Sequence, residues 1–169
     1  EEWWGRHLSE YHAAFRCLGK SFDRTADVTP FIRAHMDAQL HQVRALDLRA
    51  RVQQRIWAGV EEAVTAAGLA PRVANAVWDA FFGRSVTPRY YRPLADVSSP
   101  TATNDLAAAV AGGFLRPEGK GRSRRYLAGD SLYPRIGTAV GVPVDDGGES
   151  ARAVIIGELT KRVASEGAR

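Results

Sequence analysis

Apolar residues recur along this chain at intervals of three and four, the period of a helix that buries one face. Leu8, Tyr11, Phe15 and Leu18 predict a first helix, which Gly19 ends. In "DVTPFIRAHMDAQLHQVRAL", Thr29 is placed to cap a second helix with Pro30 at its first position, and Phe31, Met36, Leu40 and Val43 follow on one inward stripe. Leu48, Val52, Ile56, Val60 and Val64 fall four apart over several turns, the strongest helical pattern in the chain, with Gly68 as its stop. "GLAPRVANAVWDAFFG" restarts a helix near Pro71 and turns Val73, Val77, Trp78, Phe81 and Phe82 inward.

The next stretch changes character. Thr87 and Pro88 open a helix that Pro93 should shorten, and Ser98 or Ser99 caps another in which Ala102, Leu106 and Val110 share a face. Gly112 and Gly113 end it. "FLR" and "RRYLA" then alternate as strands do, around "PEGKGRS", a turn of hairpin length. Three helices and a hairpin in this order predict a winged helix-turn-helix. "YPRIGTAVGVPVDDGGES" reads as loop, and "SARAVIIGELTKRVA" as a closing amphipathic helix through Ala151, Ile155, Leu159 and Val163. The expected fold is therefore mostly α with a small hairpin: a helical segment over residues 1–68, the winged helix over 69–129, and a loop and helix over 130–169.

Composition bounds this picture. At 169 residues, 45% hydrophobic and 25% charged, the chain has the make-up of a globular protein with one or two cores. Lys and Arg number 23 against 19 Asp and Glu, a net +4, so where the cations cluster matters more than their total. A lone cysteine, Cys17, excludes an internal disulfide framework and points to a reducing, cytoplasmic setting. No run of about 18 apolar residues is present, so no membrane partner is expected.

Two motifs can be placed. "VTPRYYRPLADVSSPTATNDLAAAVAGGFLRPEGKGRSRRY" resembles the winged-helix segment at the C-terminal end of many bacterial Fic (filamentation induced by cAMP) proteins. That segment joins a Thr-capped helix to a Ser-x-x-Thr-Ala-x-x-Asp-Leu helix, a glycine-terminated turn and a Gly-Arg-x-x-x-Tyr wing. The matching residues are Thr87, Ser98, Thr101, Ala102, Asp105, Leu106, Gly113, Gly121, Arg122 and Tyr126. "YHAAFRCLG" followed by "DVTPFIRAHMDAQL" looks like the last helices of the Fic domain itself, so the resemblance spans most of residues 8–128.

The resemblance implies a parent protein that transfers AMP from ATP with Mg, through a His-Pro-Phe-x-[Asp/Glu]-Gly-Asn-Gly-Arg loop. No such loop occurs here, and His7, His12, His35 and His41 all lack its context. The expectation is a fragment that begins just after the catalytic motif, does not catalyse alone and holds no cofactor.

The residues themselves agree that chemistry is absent. The four histidines make no i, i+4 pair and have no cysteine cluster beside them, so a zinc site is unsupported. "GKGR" lacks the spacing and the hydroxyl of a nucleotide-binding loop. No nucleophile, base and orienting group can be assembled.

Binding is better supported. Lys120, Arg122, Arg124 and Arg125 fall within six positions, joined at a distance by Arg84, Arg89, Arg92 and Arg116, which is the footprint of phosphate contacts. On a strand, Arg122 and Arg124 share one face; Arg125 takes the other with Leu127, where packing or a salt bridge could occupy it. The helix from Ser98 to Gly113 has no Lys or Arg, which leaves Thr101, Thr103 and Asn104 as candidate base readers; a plain solvated helix face accounts for them equally well. Tyr90 and Tyr91, between Arg89 and Arg92, are candidates for a protein interface.

Three functions follow as expectations. The first is a C-terminal, non-catalytic region of a Fic-type protein that binds double-stranded DNA through Lys120, Arg122, Arg124 and Arg89. The second is a module for docking a protein target or for self-association. The third is a free-standing winged-helix regulator whose helical first half is a dimer arm, with recognition helices about one DNA turn, roughly 34 Å, apart.

Overall fold

A computed structural model describes residues 2–21, 23–145 and 148–167. Helix α1 (Glu2–Arg6) leads into α2 (Leu8–Ala14), which tightens into a 3-10 turn at Phe15–Leu18. The long helix α3 follows, Thr29–Ala66, 38 residues. The two helices predicted across this stretch are one, because no proline follows Pro30 and Gly59 is the single glycine before Gly68. Its start also differs from expectation. Thr29 lies inside the helix, and the Asp27 carboxylate accepts the Thr29 N–H at 2.9 Å, while the Val28 carbonyl accepts from Ile32.

The chain divides into two compact units, residues 1–50 and 51–169, with α3 passing from one to the other at Ala50. The boundaries read at 68/69 and 129/130 both lie inside the second unit. In the first unit, rings do most of the packing: Trp3 stacks on His7 at 4.1 Å, Trp4 meets Tyr11 edge-on at 5.4 Å, and Tyr11, Phe15, Phe31 and His35 continue the series. Among the described residues of this unit only Ala14 and Ala38 are buried. Leu8 and Phe15, expected inward, are exposed, and so are Met36, Leu40 and Val43, together with Ile32.

The second unit holds the core. Val52, Ile56, Val60 and Val64 of α3 are buried as their spacing predicted. A 3-10 turn at Pro71–Val73 opens α4 (Ala74–Phe81), whose Trp78 meets Trp57 edge-on at 5.4 Å. Then come α5 (Pro88–Leu94), which ends one residue after Pro93, and α6 (Ser99–Ala111). A hairpin follows, β1 (Leu115–Glu118) with β2 (Arg125–Ala128), antiparallel with Leu115 opposite Ala128 and Glu118 opposite Arg125. Val86 bridges the outer edge of β2 through two hydrogen bonds with Tyr126, 2.9 and 2.7 Å, which ties the hairpin to the segment before α5.

The stretch after the hairpin is a correction. Instead of continuous loop it contains α7 (Leu132–Ala139), with Leu132, Tyr133 and Ile136 buried. Pro134 falls in its first turn, where no intrahelical N–H is needed. Gly137 is there because a Cβ would stand 2.5 Å from the Val142 carbonyl oxygen, and that close approach folds the chain back after the helix. Helix α8 (Glu149–Glu166) then buries Ala151, Ile155, Leu159 and Val163, the four positions its pattern marked. The described residues are mostly helical, with eight α-helices and one two-stranded sheet.

Candidate nucleic-acid interface

Two caps fix the helices beside the hairpin. The Thr87 hydroxyl accepts the Tyr90 N–H at 3.2 Å, and the Ser98 hydroxyl accepts the Thr101 N–H at 3.4 Å, with Pro88 and Pro100 in the first turns. Both caps are those the sequence marked. Helix α6 packs against both α5 and β1, so α5, α6 and the hairpin are neighbours.

A buried carboxylate locks this arrangement. Asp105 on α6 is 7% exposed and takes a fork from Arg72, Nε at 2.7 Å and Nη2 at 2.9 Å, plus the Tyr91 hydroxyl at 3.0 Å. Three segments thus converge on one acceptor: the turn before α4, α5 and α6. Burial, and then the hydrogen bond to Asp105, push the Tyr91 phenol well above its ordinary range. Tyr91 is fully buried, so its candidacy as an interface residue is withdrawn: its hydroxyl is needed inside. A second buried carboxylate, Asp79, accepts from Arg84 at 3.1 Å and, lying beside the Tyr90 phenol, raises it by hydrogen bonding. Tyr90 remains 47% exposed.

The hairpin sorts its cations. Arg125 donates to Glu118 across the strand pair and is neutralised there, the salt-bridge alternative. Lys120 and Arg124 are exposed, and among the described residues no carboxylate lies within ion-pair reach of either. The side chain of Arg122 lies outside the described residues. Its backbone sits in a 3-10 turn, Gly121–Ser123, and not on a strand, so the shared strand face expected for Arg122 and Arg124 does not exist. Gly119, at φ +78°, makes the turn possible, since a Cβ there would stand 2.8 Å from the Ser123 carbonyl oxygen. Arg89 and Arg116 are exposed and likewise lack a carboxylate partner among the described residues, whereas Arg92 donates to the Ser99 hydroxyl at 3.2 Å.

On α6 the three candidate readers separate. The half-buried Thr101 shares a 2.9 Å hydrogen bond with the Ser98 hydroxyl and belongs to the cap. The Thr103 hydroxyl donates back to the Ser99 carbonyl at 3.0 Å. Asn104 is exposed, and no hydrogen bond engages its amide among the described residues. The exposed face continues through Ala107, Ala108 and Ala111, without a charge.

Arg72 and Asp79 were missed by sequence reasoning. Asp105 carried a signal, because it stands three residues after Ala102 on the inward face, but nothing local names a partner 33 residues away. No group of residues able to hold a metal occurs among the described residues, nor any helix long and apolar enough to cross a membrane. Among the described residues the arrangement offers exposed cations, Lys120 and Arg124, with no ion-paired carboxylate. Comparison with protein-family models, curated proteins and solved structures gives no match for this chain.

Proposed function

We propose that residues 71–128 form a winged helix-turn-helix whose wing holds the phosphates of double-stranded DNA, within the C-terminal, non-catalytic region of a Fic-type nucleotidyltransferase. The observation that carries the binding reading is the pair Lys120 and Arg124, exposed and without a carboxylate partner among the described residues, at the tip of a hairpin that adjoins α6. The exposed face of α6, Asn104 with Ala107, Ala108 and Ala111, carries no charge and admits a helix or a duplex backbone equally. Arg122 in the same turn and Arg89 on α5 extend the set.

Such binding is modest, insensitive to base sequence and steeply dependent on salt. Each phosphate contact contributes a slope of about 0.9 in log affinity against log salt. Fluorescence anisotropy with a mixed-sequence duplex therefore tests the reading. Lys120→Ala with Arg124→Ala should lower the slope by about two, while Arg125→Ala, already neutralised by Glu118, should leave it nearly unchanged. Absence of duplex binding at low salt would sink the proposal.

The Fic relationship rests on the residue pattern from Thr87 to Tyr126. A protein-contact role is favoured separately by the exposed apolar side chains of α3.

A further inference from the structure

We propose that Asn104, at the middle of the outward face of α6, reads an adenine in the major groove, so that the protein favours A·T over G·C base pairs. The inference rests on the duplex reading above and deepens it. The grip of the wing stays insensitive to base sequence, because phosphates are alike at every step. A preference needs a side chain that meets base edges, and α6 offers one. Its single charge, Asp105, is turned inward and held by Arg72 and the Tyr91 hydroxyl. The Thr101 hydroxyl shares a 2.9 Å hydrogen bond with Ser98 Oγ, and the Thr103 hydroxyl donates to the Ser99 carbonyl at 3.0 Å. Asn104 is exposed, and among the described residues no hydrogen bond engages its amide.

Placement and chemistry select the base. At 100° per residue, Pro100, Asn104, Ala107 and Ala111 fall within about 60° of arc, opposite the buried Ala102, Leu106 and Ala109. No long side chain on that line would hold a duplex away from the Asn104 amide. A carboxamide sets an acceptor beside a donor, and adenine alone shows the complement in the major groove, an N7 acceptor beside an N6 donor. Guanine shows two acceptors there and calls for two donors, usually from Arg or Lys, and α6 has neither. Cytosine and thymine offer one bond each. Ala107 and Ala111, one and two turns further on, present methyl groups, the contact that suits the thymine methyl. An A·T pair is therefore the one this face rewards.

Three duplexes of equal length test this by fluorescence anisotropy with the whole chain: one of A·T pairs, one of G·C pairs, and the A·T duplex with 7-deazaadenine for adenine. The last removes N7 and leaves the minor groove and the phosphates as they were. The A·T duplex should bind at least about five-fold more tightly than the G·C duplex, the worth of one bidentate pair, with the same salt slope. The 7-deazaadenine duplex should lose most of that advantage. Asn104→Ala should level all three with salt slope and circular dichroism unchanged, because the side chain is exposed and touches no phosphate. Lys120→Ala with Arg124→Ala should weaken all three alike and keep their ratio. Equal binding of the A·T and G·C duplexes, or a preference that survives Asn104→Ala or 7-deazaadenine, overturns the role of Asn104 and leaves the phosphate reading standing. No binding of any duplex at low salt removes the phosphate reading, and this inference with it.

Discussion

From Val52 to Val64, α3 holds Val52, Ile56, Val60 and Val64 at 5% exposure or less. From Ile32 to Leu46 the same helix leaves Ile32, Met36, Val43 and Leu46 between 49% and 64% exposed. Both stretches have helical apolar spacing, so periodicity reports that a face calls for cover without saying what supplies it. In the second unit, cover comes from several helices that bury their own stripes. In the first, α1 and α2 are 5 and 7 residues long, and the rings that α1 sets on α3, Trp4 against His35 and Trp3 against His41, leave Ile32, Met36, Val43 and Leu46 exposed.

The largest expected effect breaks the comparison directly. Ile56→Ala, at 1% exposure, should lose about 2–5 kcal/mol of unfolding free energy, from lost burial and the cavity left behind. Met36→Ala, at 64% exposure and measured by the same denaturant titration, should stay within about 0.5 kcal/mol of the parent. Equal losses at the two positions would mean that Met36 is covered within the chain after all.

A middle-sized effect belongs to the charged clamp, which has no counterpart among the described residues of the first unit. Asp105→Ala strands the buried Tyr91 hydroxyl and one end of Arg72. Because Arg72 is 40% exposed and partly rescued by water, the expected loss is about 2–3 kcal/mol in thermal or denaturant unfolding. Tyr91→Phe, which removes one donor and leaves the Arg72 fork intact, should cost about 1 kcal/mol. If Tyr91→Phe costs as much as Asp105→Ala, the hydroxyl, not the guanidinium, holds the three segments together.

Local chemistry was legible wherever it acts alone. The Thr87 and Ser98 caps and the α8 stripe needed only neighbours within four residues, and they stand where the sequence put them. What was not legible depended on distant chain. The stretch holding Pro134 and Gly137 read as loop, whereas the first-turn position of one and the close Val142 carbonyl beside the other give them places in α7. Tyr91 looked like half of an exposed pair because Arg72 and Asp105 are far from it in sequence. At the interface, the Lys120 to Arg125 cluster was visible as charge, but only pairing in the hairpin separates neutralised Arg125 from exposed Arg124.

The smallest effect concerns how the exposed half of α3 begins. The Asp27 carboxyl is held below its ordinary value of 3.8 by hydrogen bonds from the hydroxyl and the backbone amide of Thr29. Because the folded value lies below the unfolded one, its contribution to the helix start is fully present above about pH 4 and is lost as pH falls through the folded value. An NMR titration should therefore show the Asp27 carboxyl changing below pH 3.8, with the Thr29 amide shift moving alongside it, while amides from Val52 to Val64 stay unmoved. Asp27→Asn keeps an acceptor but removes the titration, so the Thr29 response should flatten. A carboxyl midpoint at or above the ordinary value would show that the side chain is solvated, and that the exposed half of the helix starts without the anchor assigned to it.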